Sequence, residues 1–145
     1  MPATGLDHRG IRTADLEASR HFYADLLGLE VGERPAALPT QGYWLYAGAD
    51  PIIHLVQDSD GSVDPNVTPR SDLAGSGGHT HIALTFAGAR AVVERLRAEN
   101  VTYWDRLIRE PLMYQVFVED PNGLLIELID RTPGEIDGPI RDVVG

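Results

Sequence analysis

Residues 6–57 recur in pattern 73 positions further along the chain, and the coincident positions include groups able to hold a metal. His8-Arg9-Gly10-Ile11 falls on His81-Ile82-Ala83-Leu84, and Ile52-Ile53-His54-Leu55-Val56 falls on Leu125-Ile126-Glu127-Leu128-Ile129. One offset serves both matches, so His8 is equivalent to His81 and His54 to Glu127. A folding unit used twice restricts the architecture before any propensity is weighed.

Each unit reads as βαβββ. The first has a strand at 6–12, then Thr13 or Asp15 as a helix cap, with Leu16, Phe22, Tyr23, Leu26 and Leu27 at helical spacing and Gly28 as the stop. Strands follow at 29–33, 43–46 and 51–57. The second unit has a strand at 79–86, a helix over 88–98, and strands at 101–103, 113–119 and 124–129, the last two joined by the turn residues Asp120-Pro121-Asn122-Gly123. The segment 58–78, rich in Asp, Ser, Gly and Pro, reads as a connector, and Gly75-Ser76-Gly77-Gly78 lacks the lysine and spacing of a phosphate loop. Together these predict an α+β fold, a single domain of repeat 1 (6–57), connector (58–78), repeat 2 (79–130) and tail (131–145). The tail either packs on a neighbour or is loosely ordered.

Composition narrows the chemistry. The chain has 145 residues, 43% of them hydrophobic, enough for a core without covalent staples. Its net charge of −10 opposes attraction to phosphate backbones and anionic lipid, so neither nucleic acid nor membrane is an expected partner. With no cysteine and no lysine, thiolate sites and Schiff bases are excluded. The N-terminus lacks the pattern of a secretory signal and no apolar run approaches a membrane span, so a cytoplasmic location is expected.

Strand alternation sets His8 on a face with Gly10 and Arg12, and His79 and His81 on a face with Ala83 and Thr85. Ile82, Leu84 and Phe86 then face the helix, leaving His81 on the opposite side. Glu127 shares a face with Leu125 and Ile129, and a carboxylate in such a run needs a cation or a strong donor. Two imidazoles and a carboxylate, with His54 as a fourth candidate, form a donor set for one divalent ion of Fe, Mn, Ni, Co or Zn. The alternative is that each is separately a hydrogen-bonded core or rim group.

Leu6-Asp7-His8, the run Ala14-Asp15-Leu16-Glu17-Ala18-Ser19-Arg20-His21-Phe22-Tyr23, Leu27-Gly28-Leu29, and Asp120-Pro121-Asn122-Gly123 leading to Ile126-Glu127-Leu128 resemble the vicinal oxygen chelate superfamily. That superfamily includes glyoxalase I, extradiol dioxygenases and bleomycin-binding proteins. The resemblance implies two βαβββ modules curved into a barrel-like cleft, with first and fourth strands adjacent, so that His8 lies beside His54 and His81 beside Glu127. It also implies a homodimer, the cleft being built within one chain or across two. By position His8, His81 and Glu127 match the superfamily's metal ligands, and His54 stands where glyoxalase I has a glutamate. Extradiol dioxygenases place a tyrosine where this chain has Phe117.

The resemblance therefore implies a metal-dependent lyase or isomerase that stabilises an enolate-type species of a small oxygenated substrate, with Glu127, His54 or His79 moving a proton. A ring-cleaving Fe(II) dioxygenase and a non-catalytic small-molecule-binding protein are the alternatives. Trp44, Tyr46, Arg109, Tyr114 and Phe117 are candidates for the substrate pocket. Aromatic strand residues more often belong to a core, and for Arg109, Tyr114 and Gln115, expected to flank a loop before the seventh strand, a solvated rim is the simpler account.

Overall fold

The computed structural model describes residues 2–57, 81–136 and 138–145, so the connector 58–78 and His79 lie outside the described residues. The chain divides into two compact units, Met1–Ala74 and Gly75–Gly145, each organised around its own sheet.

In the first unit β1 (Arg9–Thr13) is followed by α1 (Leu16–Arg20), which continues in π-helical geometry over His21–Leu26, then β2 (Glu30–Gly32), β3 (Gly42–Ala47) and β4 (Asp50–Gln57). The sheet order is β1-β4-β3-β2. The second unit runs β5 (His81–Thr85), α2 (Ala89–Ala98), β6 (Tyr103–Arg109), β7 (Leu112–Glu119), β8 (Leu125–Asp130) and β9 (Asp142–Val144), in the order β5-β8-β7-β6-β9.

In each unit the first strand pairs in parallel with the fourth, which requires a crossover, and the helix supplies it. The repeat extends to register. Arg9 lies opposite Ile53 as Ile82 lies opposite Ile126, and Leu45 pairs with Ile53 as Val118 pairs with Ile126. Positions separated by 73 residues thus occupy the same place in their sheets.

One face of each sheet is the core. Ile11, Leu45, Ile53 and Leu55 are buried in the first unit, as are Phe22, Tyr23 and Leu26 of its helix. In the second, Leu84, Val116, Val118, Ile126 and Leu128 are buried together with Ala89, Val92, Val93 and Leu96 of α2, which packs on β7 and β8. Full burial of each large aliphatic side chain is worth roughly 1.5–3 kcal/mol.

The helix starts differ in mechanism. Asp15 caps α1 by accepting from the Ala18 N–H (2.9 Å), while Thr13 is bonded to Asp15 and Ser19 beneath it. Helix α2 begins after Gly88, which has a left-handed backbone and no side chain to cap with. Its free N–H groups are satisfied from the end of β8: Asp130 Oδ2 accepts from Gly88 (2.8 Å) and Ala89 (3.0 Å), and Oδ1 from Thr132 (2.9 Å).

One expectation is corrected and one open alternative is decided. Strand β6 runs over Tyr103–Arg109, well beyond the expected 101–103, and turns tightly into β7, so no long loop precedes the strand that carries Tyr114 and Gln115. The polar pair Asp105-Arg106 hid this strand, because Asp105 is a buried acid that accepts from Tyr114 Oη (2.7 Å) and from the Arg141 N–H (2.9 Å). The tail docks: β9 extends the sheet beside β6, and Arg106 Nε bonds Asp142 (2.9 Å).

Asp130→Ala removes the acceptor of three backbone N–H groups and is expected to lower unfolding free energy by about 1–3 kcal/mol, read from denaturant titration. An unchanged midpoint would show that water caps α2 equally well.

Candidate metal site

Each unit brings two of the four sequence-derived donors together on the sheet face opposite its helix. In the second unit, Glu127 projects from the middle of β8, only 7% exposed. His81 Nε2 lies 2.8 Å from Glu127 Oε2, and Gln115 Nε2 donates to Oε1 (2.7 Å). Because a carboxylate only accepts, the amide nitrogen of Gln115 must face it, which leaves Gln115 Oε1 buried without a partner. Two donors each about 2.1 Å from a shared ion lie roughly 3 Å apart, which is the spacing that His81 and Glu127 present.

In the first unit the equivalent pair is stacked. The rings of His8 and His54 are 3.7 Å apart and nearly parallel, and Trp44 lies on the other side of His54 at 4.0 Å. Trp44 pairs with His54 across β3 and β4, and Phe117 with Glu127 across β7 and β8, so the aromatic neighbour is part of the repeat as well. Asp7 Oδ2 lies 2.6 Å from His8 Nδ1, an arrangement that fixes the ring and leaves Nε2 for a ligand. Strict strand alternation would place Asp7 on the face opposite His8. The pair precedes β1, where alternation does not bind it.

His54 Nε2 is buried and makes no hydrogen bond. Burial, and next the charge of His8, push the imidazole pKa below its ordinary value. A neutral imidazole with an unpartnered nitrogen is the state a metal ligand requires. Two parallel rings cannot both hold one ion in plane, so joint ligation requires His8, the more exposed of the two, to turn. Among the described residues no three donors gather at one point. Each unit supplies a pair, and the donor chemistry of both pairs fits a divalent ion.

The pocket candidates separate. Phe117 and Trp104 lie on the Glu127 face and, with Tyr103, Glu119, Leu125 and Arg141, line a cavity of about 630 Å³. Trp44 belongs to the histidine stack. Tyr46 donates from its hydroxyl to Glu33 O (2.7 Å). Tyr114 is corrected: it is 0% exposed, faces the helix side and bonds Asp105, with Arg90 donating to its hydroxyl (3.3 Å). Burial, and next the hydrogen bond to the Asp105 carboxylate, push its phenol pKa well above the ordinary value. Arg109 shares that alternation and ends exposed at the strand terminus. Gln115 was placed with the rim; the register of β7 on β8, which sets it diagonal to Glu127, was the signal for its actual role.

Comparison with known proteins gives the family. The sequence model of the Glyoxalase/Bleomycin resistance protein/Dioxygenase superfamily matches residues 5–128. The chain belongs to this superfamily. Among relatives of this glyoxalase-superfamily chain is Glyoxylase I 4 of Arabidopsis thaliana, 28% identical over 86% of this chain and 70% of its own length. The lactoylglutathione lyase of Pseudomonas putida is 23% identical, covering 91% of this chain and 90% of its own. A glyoxalase/dioxygenase structure from Nostoc punctiforme shares the fold with a TM-score of 0.63 at 20% identity, over 87% of this chain and 90% of its own. The α+β fold of mixed sheets with few helices is that of the superfamily. No helix among the described residues is long and apolar enough to cross a membrane.

In metal-free protein His54 is expected to titrate below the ordinary histidine value. The folded state then binds this proton less readily than the unfolded chain. Its contribution to stability is full above about pH 6.5 and is lost as pH falls from there through the folded pKa. Imidazole proton shifts followed against pH check this, and a midpoint at or above the ordinary value contradicts it.

Proposed function

We propose that this superfamily member is a divalent-metal-dependent lyase or isomerase acting on a small substrate with neighbouring oxygens. The observation that carries the reading is the buried Glu127 carboxylate, held by Gln115 and set 2.8 Å from His81, at the position equivalent to His54, whose Nε2 makes no hydrogen bond. His8, His54, His81 and Glu127 are the residues that would hold the ion. When bound, the ion supplies Lewis-acid stabilisation of negative charge developing on a substrate oxygen.

The chain's own groups do the rest. Glu127 accepts the proton that the reaction moves, and Gln115 holds one carboxylate oxygen so that the other faces His81 and the substrate. His54, kept neutral by burial, is the second candidate base. His79, outside the described residues, stays a third by its alternation with His81. Phe117, opposite Glu127 across β7 and β8, supplies an apolar neighbour beside the carboxylate. Homodimer assembly and a cytoplasmic location belong to the same proposal. The relatives named glyoxylase and lactoylglutathione lyase support the lyase reading over ring cleavage, as does phenylalanine at 117, where the dioxygenases carry a hydroxyl.

Metal content per chain, by elemental analysis after purification without chelator or histidine tag, tests the proposal. Near-stoichiometric metal is expected in the wild type, with loss in His81→Ala and Glu127→Ala and a smaller loss in His54→Ala. Equal content in all four proteins would remove the site.

A further inference from the structure

Arg34 follows β2, and the chain on both sides of it is anchored. Tyr46 Oη bonds Glu33 O, and the Tyr46 ring covers Gly32, where an added Cβ would come within 2.5 Å of it. Arg34 Nη2 donates to Thr40 Oγ1 (2.8 Å). The guanidinium lies close to Gly42: a Cβ there would collide first with the Leu55 carbonyl oxygen and would also stand 3.3 Å from Arg34 Nε.

Gly42 alternates onto the same face as Trp44 and pairs with Val56, one same-face step from the Trp44–His54 pair. Two strand residues span about 7 Å, so the guanidinium lies beside the histidine stack. Its positive charge is among the influences on the His54 imidazole. Arg34 Nε is buried with no hydrogen-bond partner. Among the described residues no carboxylate pairs with Arg34, in a chain with 22 acidic residues. A half-buried cation without a counter-ion is unfavourable unless a ligand supplies one. Its remaining N–H groups form a planar fork that suits the two oxygens of a carboxylate.

We infer that Arg34 binds a carboxylate of the substrate, so that the site selects small oxo or hydroxy acids over neutral carbonyl compounds. This rests on the functional reading above and specifies its substrate class. It depends on no residue of the His81–Glu127 pair.

Pyruvate and its uncharged ester, methyl pyruvate, are the probes, titrated into chelator-treated protein and followed by the Arg34 Nε–H resonance in ¹H–¹⁵N spectra. Pyruvate is expected to shift that resonance saturably and the ester to leave it in place. Arg34→Gln, followed by backbone amide shifts because the substitution removes the guanidinium signal, should weaken pyruvate binding about tenfold or more, and Arg34→Lys, which keeps charge but loses the fork, by less. Equal binding of the ester, wild-type affinity in Arg34→Gln, or no saturable shift would each overturn the inference. Metal content, measured separately, keeps the two readings apart. Protein that takes up no metal but binds pyruvate through Arg34 loses the metal reading and keeps this one; metal uptake with Arg34-independent binding does the reverse.

Discussion

The parallel pairing of first and fourth strands within each repeat is the constraint on which the rest depends. A parallel pair cannot be closed by a turn, so a helix must cross one face of the sheet, and that face becomes the core. The opposite face is left for polar side chains. The pairing also brings position 8, just before β1, beside position 54 on β4, and sets positions 81 and 127 on neighbouring strands of the other unit. Donors 46 residues apart in sequence become near neighbours, and they do so twice because the register is copied along with the residues.

The two copies have diverged in what surrounds those donors. In the second unit the partner is a carboxylate, and Gln115 is present to hold it. In the first the partner is an imidazole, position 42 equivalent to Gln115 is glycine, and the space is crossed by Arg34. A carboxylate needs a donor, whereas a neutral imidazole between Trp44 and His8 is held by stacking. One scaffold thus offers two electrostatic environments, one anionic and one with a cation in reserve.

Much of this was legible because it is periodic. The repeat, the strand alternation that separates His81 from Ile82 and Leu84, and the turn at Asp120-Pro121-Asn122-Gly123 all follow from spacing. The reading failed where a buried polar group broke the pattern. Asp105 concealed most of β6, and Tyr114, read as a pocket residue, was recruited to the helix side to satisfy that acid. For the tail, packing and loose order were both open, and the choice was made by Asp105 and Arg106, which anchor it from another strand.

The sequence by itself determined the doubled βαβββ pattern, the donor positions and the classes of chemistry that a chain without cysteine or lysine can perform. These depend on local periodicity and residue type. Only the tertiary structure decided which side chain meets which: that Gln115 orients Glu127, that His54 lies between two rings, and that Arg34 lies close to Gly42. Such contacts join side chains through register and close approach, and neither quantity is carried by any one segment of the chain.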